Sequence, residues 1–230
     1  MGTKLEIACF DLESALTAAK SGADRLELCD NIEAGGTTPS EEIVNIALQK
    51  ISIPIYIMIR PRGGNFIYSN SEFEQMKTEI LRLKSLGVDG FVFGILDINN
   101  EVDIARNTEL LNLASPLSCT FHRAFDRTKE YKKALKNVIA CGFKTILTSG
   151  LAENAISGLS TLNELVKIAG NRIDIMPGGG VRSSIISEII NKTNAPFYHS
   201  SAIVNKGESA DEYEVKALKF EISKFSLDED

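Results

Sequence analysis

A chain of 230 residues, 43% hydrophobic and 24% charged, has the length and composition of one globular (β/α)8 barrel, a fold that typically runs to about 250 residues. Its net charge of −6 repels a phosphate backbone and argues against nucleic acid as a partner, while leaving room for a local anion site. No apolar run approaches the ~20 residues that span a bilayer, and no charged and apolar leader precedes the first strand-like segment.

The expected elements alternate along the whole chain. Strands are expected near residues 4–9, 24–29, 54–60, 89–94, 117–122, 144–149, 173–177 and 196–200. Helices are expected near 11–21, 39–49, 71–86, 103–113, 129–141, 153–169 and 182–193, with a last one at about 211–225. The junctions repeat a phrase. Gly22-Ala23-Asp24, Gly87-Val88-Asp89 and Gly142-Phe143-Lys144 each close a helix with a glycine and open an apolar strand, as αβ junctions of a parallel sheet do. Thr38 reads as the cap of the second helix, with Pro39 at its first position and Glu41 three residues on. Ser71 with Glu74 reads as a capping box for the third. Eight βα units fit a barrel spanning residues 1–225, with 226–230 as an acidic C-terminal end. An open doubly wound sheet is the runner-up; its first βα turn usually carries glycines when it binds nucleotides, and Cys9-Phe10-Asp11 carries none.

Strand parity separates inward from outward side chains. Leu5 and Ile7, Leu26 and Leu28, Ile55, Ile57 and Ile59, and Cys119 and Phe121 form the outward apolar sets. Glu6, Arg25, Glu27, Cys29, Tyr56, Met58, Arg60, Thr120 and His122 then face in. Strands 6 and 8 are ambiguous by this test. Buried charges must be compensated, so Glu6, Glu27, Arg60 and His122 read either as a satisfied structural network or as a site. Barrel sites lie at the C-terminal strand ends, where Cys29, Arg60 and His122 fall.

Three loops add to the candidate site. Arg60-Pro61-Arg62-Gly63-Gly64 offers two guanidinium forks beside glycines, suited to a carboxylate or phosphate. In His122-Arg123-Ala124-Phe125-Asp126, His122 and Asp126 together with Glu27 are candidate acid–base groups and Arg123 a candidate anion ligand. Asp126 reads equally well as a helix cap. Gly178-Gly179-Gly180, opening a helix after strand 7, can present N–H groups to an anion. Four cysteines form no C-x-x-C pair and read as reduced thiols in a cytoplasmic setting. Cys9 and Cys119 share the outward parity, Cys141 ends a helix, and Cys29 alone points toward the site, where it would suit Cu(I), with Met58 or His122 assisting.

Gly22-Ala23-Asp24-Arg25-Leu26-Glu27-Leu28-Cys29, Glu33-Ala34-Gly35-Gly36-Thr37-Thr38-Pro39-Ser40, Ile59-Arg60-Pro61-Arg62-Gly63-Gly64, Thr120-Phe121-His122-Arg123-Ala124-Phe125-Asp126, Leu147-Thr148-Ser149-Gly150 and His199-Ser200-Ser201 together resemble the CutC family. That resemblance implies a TIM barrel, a cytoplasmic role in copper homeostasis, and an oligomer, often a dimer. It also implies copper ligands among cysteines near the ends of strands 1 and 2. Cys29 matches the second; the first slot falls on Ala8, with Cys9 one residue later, and a one-residue offset on a strand reverses the face. Two readings follow: a copper homeostasis protein centred on Cys29, and an enzyme acting on a small anionic metabolite through Glu27, Arg60, Arg62, His122 and Arg123. A binding module without catalysis uses the same pocket.

Overall fold

In the computed structural model, which describes residues 2–204 and 207–225, eight parallel strands alternate with eight α-helices. The strands are β1 (Lys4–Cys9), β2 (Arg25–Leu28), β3 (Ile55–Met58), β4 (Gly90–Phe93), β5 (Ser118–Phe121), β6 (Thr145–Thr148), β7 (Asp174–Pro177) and β8 (Phe197–Ser200). The helices are α1 (Leu12–Lys20), α2 (Glu41–Lys50), α3 (Asn70–Lys84), α4 (Ile104–Ala114), α5 (Tyr131–Cys141), α6 (Leu159–Ala169), α7 (Ser183–Thr193) and α8 (Glu212–Ser223). The sheet order is β7-β6-β5-β4-β3-β2-β1-β8, and β7 meets β8 at the seam, so the barrel nearly closes. The acidic end expected at 226–230 lies outside the described residues.

Two apolar layers follow from the parity of the strands. Outward residues such as Leu5, Ile7, Leu26, Ile55, Ile57 and Phe121 pack with the helices in one large core. Cys29, Met58 and Val92, flanked by Phe10 and Tyr56, form a separate small cluster inside the barrel. Cys9 belongs to the outer layer and Cys29 to the inner one. The ambiguous strands resolve the same way: Ile146 and Tyr198 belong to the outer core, while Leu147 and His199 line the interior cavity.

Some helix starts differ from the expected ones. Ser40, not Thr38, caps α2, accepting from the Ile43 N–H at 3.4 Å. Thr38 is occupied elsewhere: its hydroxyl accepts from the Arg60 N–H at 2.8 Å, tying the loop after β2 to the end of β3. The capping box of α3 forms between Ser69 and Glu72, two residues earlier than expected. Helix α6 begins at Leu159 rather than near 153, because residues 150–158 are pinned against the β7 turn. There the Ala155 N–H donates to Gly179 O at 2.9 Å, and a side chain at Gly158 would place its Cβ 1.8 Å from Ser149 O.

Candidate functional site

The register aligns Glu6 with Arg25 across β1–β2 and with His199 across β1–β8. All three side chains therefore enter the barrel at one level. Glu6 is fully buried. It accepts from Arg25 Nε and lies 2.8 Å from His199 Nδ1. Arg25 is itself held between the rings of Tyr56 and Phe197, each 4.3 Å from its Cζ. Burial pushes the Glu6 carboxyl up, but Arg25 and His199 together outweigh it and hold it below the ordinary value. Burial pulls Arg25 down, and Glu6 and Tyr56 together lift it by more, so the ion pair is charged on both sides.

One level higher, Glu27 behaves in the opposite sense. Burial raises its carboxyl above the ordinary range. Its Oε2 accepts the Cys29 thiol at 3.6 Å and lies 3.8 Å from His199 Nε2. Its Oε1 is buried and meets no hydrogen-bond partner. Burial lowers the His199 imidazole, but Glu27 and Glu6 raise it by more. Glu27 and His199 thus form a buried pair in which each group's charge favours the charge of the other. Burial, followed by the charge of Glu27, pushes the Cys29 thiol well above its ordinary value of 9.0, so a thiolate forms there only when a cation compensates it.

His122, at the end of β5, is neutral for a different reason. Burial, reinforced by the Arg60 charge, lowers it to about 3. Its Nδ1 accepts from the Ala124 N–H at 3.3 Å, so the single proton of the neutral ring sits on Nε2. Nε2 finds no partner, and the ring packs 4.7 Å from that of Phe66.

Glu27, His199 and His122 line one cavity of about 230 Å³ at the C-terminal ends of the strands. Of the residues expected from sequence, Glu27, Arg60, His122, Arg123, Gly179 and Gly180 line it. Cys29 lies beside it, one contact away through Glu27.

Arg62, Asp126 and Gly178 do not line it, each for a definite reason. Arg62 turns to Glu72, Asn65 and the carbonyl of Ile67, so it braces its own loop instead of clamping an anion. The N–H of Gly178 donates to Thr148 O at 2.9 Å, and its bare Cα lets Leu147 pack, since a Cβ would lie 2.4 Å from Leu147 Cδ1. Asp126 accepts from Thr148 Oγ1, from the N–H groups of Ser149 and Leu151, and from Arg123 Nε. It caps no helix; it holds the loop after β6, including Leu151 at φ 64°, and orients Arg123. The imidazole that stands beside Glu27 is His199.

His199, Arg182, Ser200 and Ser201 also line the cavity; none is among the site candidates read from sequence, although His199-Ser200-Ser201 is one of the motifs that carry the family resemblance. The signal for His199 was its pairing with Glu6, which parity on the polar stretch Tyr198-His199-Ser200 does not reveal. Arg60 fastens the rim, its Nη1 lying 2.9 Å from the carbonyls of Ala34, Gly35 and Gly36.

Among the described residues the groups able to hold a metal ion are Glu6, Glu27 and His199, whose ligand atoms lie within 4.8 Å of one another. No helix of the described residues is long and apolar enough to cross a membrane.

Comparison with known proteins agrees with this architecture. The family model of the CutC family matches residues 3–204. The human copper homeostasis protein cutC homolog is 40% identical over 201 residues, covering 87% of this chain and 74% of that protein. A CutC family protein of Chromobacterium violaceum is 43% identical over 198 residues, covering 86% of this chain and 80% of its own. The crystal structure of CutC from Streptococcus agalactiae superposes with a TM-score of 0.83 at 36% identity, over 86% of this chain and 98% of that one. Phosphoribosyl anthranilate isomerase from Thermotoga maritima, with a TM-score of 0.64 at 16% identity over 96% of this chain and 99% of that one, shares the fold alone.

Proposed function

The chain belongs to the CutC family, and from that premise we propose that it serves copper homeostasis in the cytoplasm by holding a copper ion as cargo beside Glu27. The observation that carries this reading is the run from Cys29 Sγ to Glu27 Oε2 at 3.6 Å and on to His199 Nε2 at 3.8 Å. It offers a soft thiolate, a carboxylate with one unpartnered oxygen and an imidazole. Met58 packs in the same inner cluster as Cys29. Cys9 stays outside the set: its sulfur faces the outer core and points at Ile7 O, 3.5 Å away. Cys29 stands outside the Glu6–Glu27–His199 group whose ligand atoms lie within 4.8 Å of one another, so the proposed site is a single thiolate joined to that group through Glu27, not a two-cysteine site. Four free, buried thiols suit a reducing compartment.

A competitive Cu(I) titration of the reduced protein against a chelator of known affinity tests the reading. Wild type should bind one equivalent tightly, and Cys29→Ser should lose tight binding. Because the thiol must shed its proton to bind, the apparent affinity should climb by about tenfold per pH unit through neutrality, where one proton is displaced. Equal affinity in both proteins, or a flat pH dependence, would overturn it.

A second reading rests on a separate observation: neutral His122 shares a cavity with the Glu27–His199 pair. A buried carboxyl raised toward neutrality and an imidazole fixed as a donor are the complementary halves of an acid–base site. In this reading the chain is an enzyme that moves a proton on a small anionic metabolite. Glu27 with His199 exchanges the proton, and His122 Nε2–H polarises an oxygen. Solvent-deuterium incorporation into candidate phosphorylated and carboxylated metabolites would report the activity. Glu27→Gln should abolish any exchange that wild type catalyses; exchange surviving in that variant would remove Glu27 from the role.

A further inference from the structure

The β7–β8 side of the cavity holds groups that neither copper nor the proton pair uses. Arg182, just beyond β7, donates through Nη1 to Val181 O at 2.7 Å and Ser200 Oγ at 3.1 Å. Through Nη2 it donates to Ser201 Oγ at 3.3 Å and Ile203 O at 2.8 Å. All of these acceptors are neutral. Among the described residues no carboxylate pairs with Arg182, and none pairs with Arg60 on the opposite wall, whereas the charge of Arg123 is matched by Asp126. Burial holds the Arg182 guanidinium below its ordinary value. Two guanidinium charges therefore line one cavity without an ion-paired carboxylate among the described residues, Glu214 acting on Arg182 only from beyond ion-pair distance. Desolvated charge of one sign inside a concave site attracts the opposite charge from solution.

Donors converge on the same side. Gly179 and Gly180, at φ 93° and 73°, line the cavity, and their N–H groups find no acceptor among the described residues. A Cβ at Gly179 would lie 3.2 Å from both Arg123 Cζ and Ser149 Cβ, so this position is restricted to bare backbone. The two serines after Tyr198 divide their work. Ser200 donates to Val181 O at 2.7 Å. Ser201 only accepts, from Arg182 Nη2 and from the Ile203 N–H at 3.4 Å, which leaves its own proton to give. Across the cavity, Arg60 Nε and His122 Nε2 are buried donors without partners, on residues that also line it. The remaining wall, including Phe10, Met58 and Phe66, is apolar.

We propose that the ends of β7 and β8 bind the oxyanion of a small metabolite, a phosphate or carboxylate, through Gly179, Gly180, Ser201 and the charge of Arg182. The body of the ligand then extends toward Phe66 and His122. The proposal takes its ligand class from the anionic-metabolite reading above and adds the subsite; it requires no chemistry on the bound molecule. It also reassigns the anion site expected from sequence, replacing Arg62 and Gly178 with Arg182 and Ser201.

The test is isothermal titration of the metal-free full chain with inorganic phosphate and, separately, with malonate. The proteins compared are wild type, Ser201→Ala and Arg182→Gln. Wild type should saturate with at least one of the two ions, and the preferred ion identifies the group as phosphate or carboxylate. Ser201→Ala should weaken binding roughly threefold to tenfold, and Arg182→Gln by about tenfold or more. Arg182 also braces its own loop and Ser201 accepts from Arg182 Nη2 and the Ile203 N–H, so thermal unfolding is recorded for both variants; Ser201→Ala with wild-type unfolding carries the test if Arg182→Gln is unstable. Absence of saturation by either ion up to roughly 10 mM, well above the millimolar range of weak specific binding, overturns the proposal. So does an affinity unchanged in Ser201→Ala. Binding is read without turnover or copper: a pocket that binds an anion but catalyses no exchange supports the subsite and counts only against the acid–base reading.

Discussion

Glu6→Ala is expected to destabilise the barrel by about 3–5 kcal/mol, the cost of stranding a buried charge. Arg25 makes its ion pair with Glu6 alone among the described residues: its Nε bonds Glu6, its Nη2 reaches Met176 Sδ at 3.6 Å, two aromatic rings hold its plane, and Asp174 and Glu27 act on it only from beyond ion-pair distance. His199 loses its Nδ1 partner in the same step. For a chain of this length such a loss corresponds to a drop in Tm on the order of 10 °C. Urea unfolding of wild type and variant measures it directly. Glu6→Gln keeps an acceptor and should lose less. The double variant Glu6→Ala with Arg25→Met should recover much of the loss, because removing both partners costs less than orphaning one. A single-variant loss below about 1 kcal/mol would show that water reaches Arg25 and that the ion pair is not the internal strut described above.

The same ion pair bears on both proposed readings, which lie one level higher. Glu6 is committed to Arg25 and to His199 Nδ1, which fixes the imidazole ring and leaves Nε2 facing Glu27. A second-level partner of this kind sets which nitrogen of a histidine is offered to a ligand or a proton. Glu27 keeps the unpartnered oxygen. The fold thus assigns two carboxylates different work by environment: one beside a guanidinium stays charged, and one without it is pushed toward neutrality.

The barrel was legible in the sequence because each βα unit repeats the same signals, and one ambiguous unit does not disturb the count. Parity also sorted the cysteines, since β1, β2 and β3 carry plain aliphatic outward faces. It failed on β8 because Tyr198, the outward residue, hides its hydroxyl against Thr193 and the Ala195 N–H. A polar outward side chain beside a polar inward one erases the alternation, and His199 was lost with it. Arg60 and Arg62 illustrate a second limit. Two residues apart in a glycine-rich loop, they look equivalent, yet one gathers the carbonyls of the β2 loop and the other pairs with Glu72 on α3. Which way a loop arginine turns depends on acceptors distant in sequence. The loop-holding contacts of Asp126 were illegible for the same reason: Thr148 and Ser149 lie more than 20 residues away, at the end of β6. Caps shifted by two residues because Ser and Thr are frequent near helix starts, and tertiary bonds such as Thr38 to Arg60 choose among them.

Stability should peak near pH 6 and fall on both sides, with the two histidines acting in opposite directions. His122 titrates at about 3 in the fold against 6.5 ordinarily. Its contribution is therefore present above pH 6.5 and is lost as pH falls toward 3. At ~1.4 kcal/mol for each tenfold change, that gap amounts to about 5 kcal/mol of acid destabilisation. Glu6, held below 4.5 by Arg25 and His199 against the pull of burial, adds to the loss below pH 4.5. His199 is raised by its two carboxylates against burial, so its contribution is complete below pH 6.5 and drains away as pH rises through its folded value. Glu27, raised by burial, likewise contributes below 4.5 and loses that contribution as pH rises through its own folded value. Urea midpoints from pH 4 to 9 trace the profile, and His122→Asn should flatten its acid limb while leaving the alkaline one. The chain has only two histidines, so proton NMR separates them: one ring should stay constant from pH 5 to 8, and the other should titrate above 6.5. A His122 ring titrating near 6.5 would mean that water reaches it, and with that the neutral donor on which the acid–base reading depends would be gone.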